Sequence, residues 1–438
     1  MRLHRRAVIA CLVASALGIV TAQGGVRVDA TSLLGPVGPY VYGVNYGHLS
    51  AVPVNLFDEA AAAGITFIRY PGGSVADQGD LKPFDIDMLM TMSKLLGAEP
   101  SIQVRLPGGS PQAAADLVRY VNVEMGYDVR HWYIGNEPSL YDDYDVATLN
   151  REWRAIAEAM LAVDPDLVLI GPEPHQWTGL PGSTILDRDG VEWVEGFLQA
   201  NGDLVDVVAV HRYPFPRSTG DPGTTVADLR ENAAEWTHLI TRLRTLAESV
   251  TGREDLLFAV SEANSHWSRT AYGEATNDSR MNAVWWADVL GKLIVDGAYM
   301  VGFFDLQSSD ARGSWGLLSN NEPRPTYYTY VLYSRFGEDL VAATSDVPYV
   351  SAYAALREDG ALTVIVTNLS DEPVETTFIV TAGYEPAAAL LLDDTHDAAE
   401  VPLPLAADGG AITLPPRSAT LLELLPTAAA GLPAPDQP

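Results

Sequence analysis

The sequence is nearly free of cysteine: Cys11 is the only one among 438 residues. It lies in an apolar stretch, residues 7–22, which follows a basic start and ends in small residues. This pattern predicts a secretory signal peptide at residues 1–22, with an uncleaved N-terminal anchor as the alternative. After cleavage no thiol remains, which excludes disulfide bonds and cysteine–metal sites.

Basic residues are also scarce, with 27 Lys and Arg against 57 Asp and Glu and a formal net charge of −30. This excess of negative charge repels phosphates, which argues against nucleic-acid binding. Beyond the signal, no segment reaches the roughly 18 apolar residues that a membrane helix needs. We therefore expect a secreted protein, extracellular or periplasmic, with no membrane insertion and an oligomeric state that the sequence leaves open.

Several catalytic motifs are missing as well. The chain has no Gly-x-Ser-x-Gly elbow, no phosphate-binding loop and no Gly-x-Gly-x-x-Gly after the first predicted strand, which argues against esterase, nucleotide and dinucleotide chemistry. Its eight histidines are scattered, without the spacing of a zinc-binding helix. We expect neither a metal nor a cofactor.

What the sequence does have is apolar content, 47% hydrophobic residues, enough for a large core. Short apolar runs alternate with helical patterns over residues 39–336, which predicts an α/β fold, a (β/α)8 TIM barrel. One of the helical patterns predicts a single long helix over residues 226–243. The eight predicted strands are residues 41–46, 66–70, 101–106, 130–134, 167–170, 205–210, 256–260 and 299–305.

The pattern changes after the barrel. Residues 337–425 alternate between apolar and polar with turn residues between the runs, which predicts a smaller all-β domain, a sandwich. Residues 23–38, ahead of the barrel, are a candidate strand of that domain. Residues 426–438 are rich in Ala, Pro and Gly and are predicted to be a disordered tail.

Two carboxylates, Glu137 and Glu262, stand at the carboxyl ends of predicted strands four and seven, where this fold places catalytic groups. Glycoside cleavage needs one acid to protonate the leaving oxygen and one carboxylate to attack or to activate water. The two strands lie across the barrel mouth, so we expect both side chains in one pocket, about 5 Å apart. A second Asn-Glu-Pro, at 321–323, lies in a polar loop, and we interpret its Glu322 as a surface residue.

Together with His211 and Tyr213 after strand six, these positions resemble clan A glycoside hydrolases, and the trailing β domain extends the resemblance. Three motifs, at 69–73 (Arg-Tyr-Pro-Gly-Gly), 262–265 (Glu-Ala-Asn-Ser) and 325–328 (Pro-Thr-Tyr-Tyr), are most similar to family 79, the β-glucuronidase and heparanase group. Families 39, 44 and 51 share parts of the pattern. The resemblance implies a retaining enzyme with Glu137 as general acid/base and Glu262 as nucleophile.

Other strand-end residues are candidates for support or substrate contact. Arg69 and Tyr213 are expected to hold Glu262 ionised and oriented, by charge and by a hydroxyl donor. Asn136 is expected to bond the sugar 2-hydroxyl, with a turn role as the alternative. Further candidates are His211, for which a core histidine is the alternative, the aromatic residues Tyr46, Trp267 and Trp315, and the polar residues Gln307, Asn45, Asp310 and Arg312.

The expected partner is therefore a carbohydrate. Glucuronides, xylosides, arabinofuranosides and β-glucans all remain open as substrates. Two other functions also stay open: a transglycosidase, in which a sugar replaces water, and a non-catalytic carbohydrate-binding barrel.

Overall fold

The computed structural model describes residues 24–47, 51–218, 220–269, 272–380, 383–406 and 410–427. The predicted signal peptide lies outside these ranges, as does the predicted tail from residue 428 onward. Among the residues that are described, no helix is both long enough and apolar enough to cross a membrane.

The centre of the molecule is a closed barrel of parallel strands, which confirms the predicted fold class. Every predicted apolar run overlaps one of its strands. Alternate residues such as Phe67, Tyr133 and Val207 fill the interior, and those between them face the helices. Strand β1 (Gly25–Pro36) precedes the barrel. The strands of the barrel are β2 (Tyr40–Asn45), β3 (Phe67–Tyr70), β4 (Glu99–Val104), β5 (His131–Ile134), β6 (Val168–Pro172), β7 (Val207–Arg212), β8 (Leu257–Ala263) and β9 (Met300–Phe303).

Helices pack around the barrel and connect its strands. They are α1 (Phe57–Ala62), α2 (Pro83–Leu96), α3 (Pro111–Val118), α4 (Val146–Leu161), α5 (Trp193–Asn201), α6 (Val226–Asn232), α7 (Leu239–Thr251), α8 (Arg280–Val295) and α9 (Pro325–Tyr333). Shorter helical turns cover Val54–Leu56, Gly73–Gln78, Arg119–Glu124, Pro138–Leu140 and Ala233–Trp236.

The single helix predicted over residues 226–243 is wrong. The chain forms α6, a short turn and then α7, because Thr237 is extended and His238 takes a left-handed conformation at φ 60°. Apolar residues keep a spacing of three or four across the break, and Leu229, Trp236 and Leu243 are all buried. Apolar spacing therefore reports which side faces the core and not whether the backbone is continuous.

The second unit is a curled mixed sheet of nine strands. The predicted sandwich is one continuous sheet that encloses a separate apolar core around Val28, Val364 and Leu422. Strand β1 lies inside it, antiparallel to β10 and parallel to β13. The order of strands in the sheet is β15-β14-β17-β12-β11-β10-β1-β13-β16. The strands after the barrel are β10 (Asp339–Ser345), β11 (Val350–Leu356), β12 (Leu362–Asn368), β13 (Val374–Val380), β14 (Tyr384–Leu392), β15 (Ala399–Glu400), β16 (Ala411–Leu414) and β17 (Ser418–Pro426).

The sheet is joined to the barrel through a buried polar contact on α8. Asp288 is fully buried, pairs with Lys292, and accepts hydrogen bonds from Tyr353 (2.7 Å) and Thr367 (3.0 Å) of the sheet. Gly291 lies one turn along the helix, where a β-carbon would stand 2.4 Å from the Tyr353 ring. Burial alone would raise the pKa of Asp288, but Lys292 and the hydrogen bonds lower it below its usual range.

We predict that Asp288→Asn lowers the free energy of unfolding by about 3 kcal/mol at neutral pH, because it leaves Lys292 without its buried counter-ion. Since the folded-state pKa of Asp288 is lowered, its contribution is complete above the pKa of an unfolded aspartate, about 3.9, and is lost as the pH falls below that value. Urea unfolding from neutral pH to below pH 4 should show that the difference in the free energy of unfolding between wild type and variant shrinks.

The exposed Glu254→Gln substitution provides the control, with little change at any pH. A gap of constant size across the whole pH range would show that the charge of Asp288 is not what stabilises this contact.

Candidate active site

A cleft of about 750 Å³ opens at the carboxyl ends of the barrel strands. Both predicted carboxylates line it, together with other residues that the sequence singled out. Those are Asn136, Tyr213, Trp267 and Trp315. Further lining residues that the sequence did not single out include Ser74, His175, Gln176, Arg212 and Phe304.

Glu137 reaches the cleft through a tight turn after β5. Gly135 has a φ of 83°, and a β-carbon there would stand 2.6 Å from the side chain of Leu106, so only glycine fits. Glu137 itself takes a left-handed conformation (φ 47°) immediately before the short helix Pro138–Leu140. For a residue with a side chain this conformation is uncommon, and it is often found at functional sites.

Glu262 reaches the cleft because β8 is irregular. Simple alternation would turn Ala259 and Ser261 inward and Glu262 toward the helices. The pairing of β7 with β8 shifts by one residue, so that Val210 pairs with Val260 but His211 pairs with Glu262. This β-bulge aims Glu262 at the cleft, as bulges beside active sites commonly do.

The two carboxylates lie close together. One oxygen of Glu137, one of Glu262 and a ring nitrogen of His211 are all within 4.8 Å of one another. Nδ1 of His211 lies 3.0 Å from Glu137 and 3.7 Å from Glu262. Carboxyl groups about 5 Å apart are typical of retaining glycosidases, whereas inverting enzymes separate them by roughly 6.5–9.5 Å.

Arg69, on β3, lies beneath the pair and is completely buried. Its Nη1 donates to Glu262 (3.1 Å) and its Nη2 to Glu173 (2.8 Å). It also donates to the side-chain oxygens of Asn45 (2.9 Å) and Asn136 (2.8 Å). One cation therefore compensates two buried carboxylates and orients two amides, which is the condition for keeping such charges out of water.

The surroundings of Glu262 act on its ionisation in both directions. Burial raises the pKa of Glu262, and Glu137 adds to this, whereas His211, Arg69 and the Tyr213 hydroxyl (2.6 Å) lower it. The balance lies above the usual value. Arg69 and Tyr213 thus contact Glu262 as the sequence predicts, and they offset part of the cost of burying its charge.

His211 does not reach the cleft surface. The ring is fully buried and faces three carboxylates, those of Glu137, Glu262 and Glu173. Burial opposes a charged ring, but these carboxylates outweigh it and raise the pKa of His211 to about 9. The ring is therefore positively charged at neutral pH.

Other candidates lie away from the cleft lining. Tyr46 is buried and borders a separate cavity of about 300 Å³ with Val52 and Phe84. Gln307 is buried and donates to Asn320. Asn45 lies under the site on Arg69, whereas Asp310 and Arg312 are outside the lining, and Glu322 is exposed.

Two acidic residues of the site have no predicted role. Glu173 follows β6 directly, and its position at a strand end marks it in the sequence as a residue to inspect, but assigns it no role. Asp77 lies in the turn Gly73–Gln78 and accepts from the Asn136 N–H (3.0 Å) and from the Tyr141 hydroxyl. Burial raises the pKa of Asp77 to about 6. No sequence pattern identifies Asp77, because its partners are backbone N–H groups and one tyrosine hydroxyl from other parts of the chain.

No protein-family model matches the sequence, and no curated protein matches it. Solved structures do match over 92% of the chain. AbfB, a family 51 α-L-arabinofuranosidase from Bifidobacterium longum, is 17% identical with a TM-score of 0.74 over 99% of its length. A Paenibacillus polymyxa xyloglucanase from glycoside hydrolase family 44 is 15% identical with a TM-score of 0.72 over 100% of its length. CelM2, a bifunctional glucanase-xylanase from a metagenome library, is 19% identical with a TM-score of 0.69 over 99% of its length.

At these identities the likeness shows the fold. Among the structural neighbours are glycoside hydrolases of families 44 and 51, two of the four families that the motifs resemble. The resemblance to clan A is therefore confirmed at the level of the fold. The greater similarity to family 79 stays a prediction.

We predict that Arg69→Met lowers the free energy of unfolding by about 3–5 kcal/mol, because Glu173 and Glu262 lose their buried counter-ion. The matched control is Arg119→Met, which breaks an exposed ion pair with Asp116 and should cost less than about 1 kcal/mol. Denaturant unfolding of both variants measures the difference. Equal, small losses would contradict the assignment of Arg69 as the ion on which the buried charges depend.

Proposed function

We propose that this chain is a retaining O-glycosyl hydrolase that cleaves poly- or oligosaccharides by double displacement. Glu137 acts as general acid and base, and Glu262 acts as nucleophile. The observation that carries the proposal is the pair of carboxylate oxygens within 4.8 Å of each other at the mouth of the barrel. That spacing fits a direct attack on the sugar and leaves no room for a water molecule acting from the opposite face.

In the first step a carboxylate oxygen of Glu262 attacks the anomeric carbon. The glycosidic C–O bond breaks, its electron pair stays on the leaving oxygen, and Glu137 gives that oxygen its proton. The products are a glycosyl ester on Glu262, an alcohol and a Glu137 carboxylate. Arg69 and Tyr213 hold Glu262 in place for the attack by donating hydrogen bonds to its carboxylate, at 3.1 Å and 2.6 Å respectively.

In the second step the Glu137 carboxylate takes a proton from water while the water oxygen attacks the anomeric carbon. The ester bond breaks, and its electron pair returns to Glu262 as a carboxylate. The net result is hydrolysis with retention of the anomeric configuration, and both glutamates return to their starting states.

Aromatic side chains line the cleft beside the carboxylates. Trp267 is 45% exposed, and its ring N–H donates a hydrogen bond to the carbonyl of Pro216. The ring N–H of Trp315 donates to the carbonyl of His266. Phe304 packs edge-on to Trp315 at 5.9 Å. Held rings of this kind offer flat faces on which a sugar can stack, which supports a carbohydrate as the substrate.

We predict that Glu262→Gln abolishes turnover, and that Glu137→Gln slows cleavage of poor leaving groups by roughly 10²–10⁴-fold while sparing good ones that need no proton. Rates on aryl glycosides of graded leaving-group pKa measure this. The panel covers arabinofuranosides, xylosides, glucosides and glucuronides. The matched control is Glu322→Gln, in the exposed second Asn-Glu-Pro, which should act like wild type.

NMR of the first-formed anomer provides the stereochemical readout, and retention is expected. Inversion would contradict the two-step mechanism. Binding of sugars by wild type without any turnover would favour the non-catalytic barrel, and transfer to added sugar in preference to water would favour a transglycosidase.

We also propose that the protein is secreted, on the strength of the pattern in residues 1–22. Expression of the full chain in an exporting host should yield a product in the medium or periplasm whose first residue is Gln23. Retention of the full chain with cells would favour the N-terminal anchor instead.

A further inference from the structure

A third carboxylate, Glu173, is part of the site but cannot touch the substrate. Its side chain is 2% exposed and does not line the cleft. It follows β6 in a left-handed conformation (φ 58°), which turns it under Arg69 and His211. Oε2 accepts from Arg69 at 2.8 Å, and Oε1 lies 3.3 Å from Nε2 of His211.

These contacts give the two nitrogens of His211 different tasks. Glu173 is an ionised carboxylate and therefore only accepts, so Nε2 keeps its proton. The other nitrogen, Nδ1, faces Glu137 at 3.0 Å. When the ring loses a proton, it loses the one on Nδ1, on the side of the general acid.

The charges around His211 do not balance. Glu137, Glu262 and Glu173 face it, and Arg69 is the neighbouring cation. With the ring charged and no proton on any of the three carboxyl groups, three carboxylates would stand against two cations. His175, Tyr213 and Tyr133 are further titratable groups nearby. Burial lowers the pKa of His175 and raises the pKa of both tyrosines well above its usual value, so all three stay neutral. Burial opposes the ionisation of Glu173, but Arg69 and His211 outweigh this and lower its pKa to about 2, so Glu173 is ionised at neutral pH.

We propose that Glu173 is a positioning residue that, through His211, retains at Nδ1 the proton that Glu137 delivers to the leaving group. This inference rests on the proposed function. Before cleavage the proton passes from Nδ1 to Oε1 of Glu137: an N–H bond breaks, an O–H bond forms, and both groups become neutral. After Glu137 has released the proton to the leaving oxygen, Nε2 still carries its own proton.

The test is Glu173→Gln, which keeps the shape of the side chain and removes its charge. Without that charge the pair formed by His211 and Glu137 loses its shared proton at lower pH. The basic limb of the kcat/KM profile should move down by roughly 1–3 pH units. A residue that only supported the fold would lower kcat/KM at every pH and leave this limb in place.

Two controls isolate the charge. Glu173→Asp keeps the charge and should keep the wild-type basic limb even if the rate falls. Glu235→Gln removes a carboxylate that pairs with Arg212 at the cleft but does not contact His211, and it should also leave the limb in place. An unmoved limb in Glu173→Gln, or equal shifts in all three variants, would overturn the proposal.

A second readout does not depend on turnover. NMR titration of His211, assigned by loss of its signals in His211→Asn, should show wild-type protein titrating well above the usual 6.5 and Glu173→Gln titrating lower. If wild type titrates at or below 6.5, the proposal fails even if the Gln variant does not fold. If the titration is as expected but no glycoside is cleaved, the proposed function fails and the link between Glu173 and His211 stands.

Discussion

The site depends on one buried cation. Arg69 extends from β3 into the barrel with no access to water, so its charge has to be met by protein groups. Glu173 after β6 and Glu262 on β8 meet it, with Asn45 and Asn136 as further acceptors. The contacts join residues from five strands or strand ends, so the arrangement of the carboxylates depends on the closed barrel. Removing one partner of such a buried pair is costly, because it leaves the other charge buried without compensation.

Most of the barrel could be predicted because its strands are buried on both faces and read as short apolar runs, as Phe67–Tyr70 and His131–Ile134 do. The break at His238 could not be predicted, because apolar residues continue with helical spacing on both sides of it. The smaller all-β unit could also be predicted, but the way in which its strands join could not. Alternation identifies strands, whereas the pairing that joins them into one sheet or two depends on contacts far apart in sequence.

For the site, position and chemistry identified Glu137 and Glu262, since strand ends and a pair of carboxylates are both visible in sequence. The geometry that makes them work was not visible. The bulge at Glu262 reverses the alternation that the sequence suggests. Asp77 acts on the backbone of Asn136, where any residue would provide the same N–H. Glu173 was recognisable only by its position at the end of a strand, because its partners Arg69 and His211 come from other strands.

The place of β1 in the sheet has a consequence for synthesis. Gly25 bonds to Asp346, 321 residues later in the chain. As the polypeptide leaves the ribosome, this early strand emerges without a partner while the whole barrel is being made. Its unpaired edge has to stay solvated or shielded until β10 and β13 arrive. The pairing of β1 with β10 and β13 thus has to wait until the barrel between them has been synthesised.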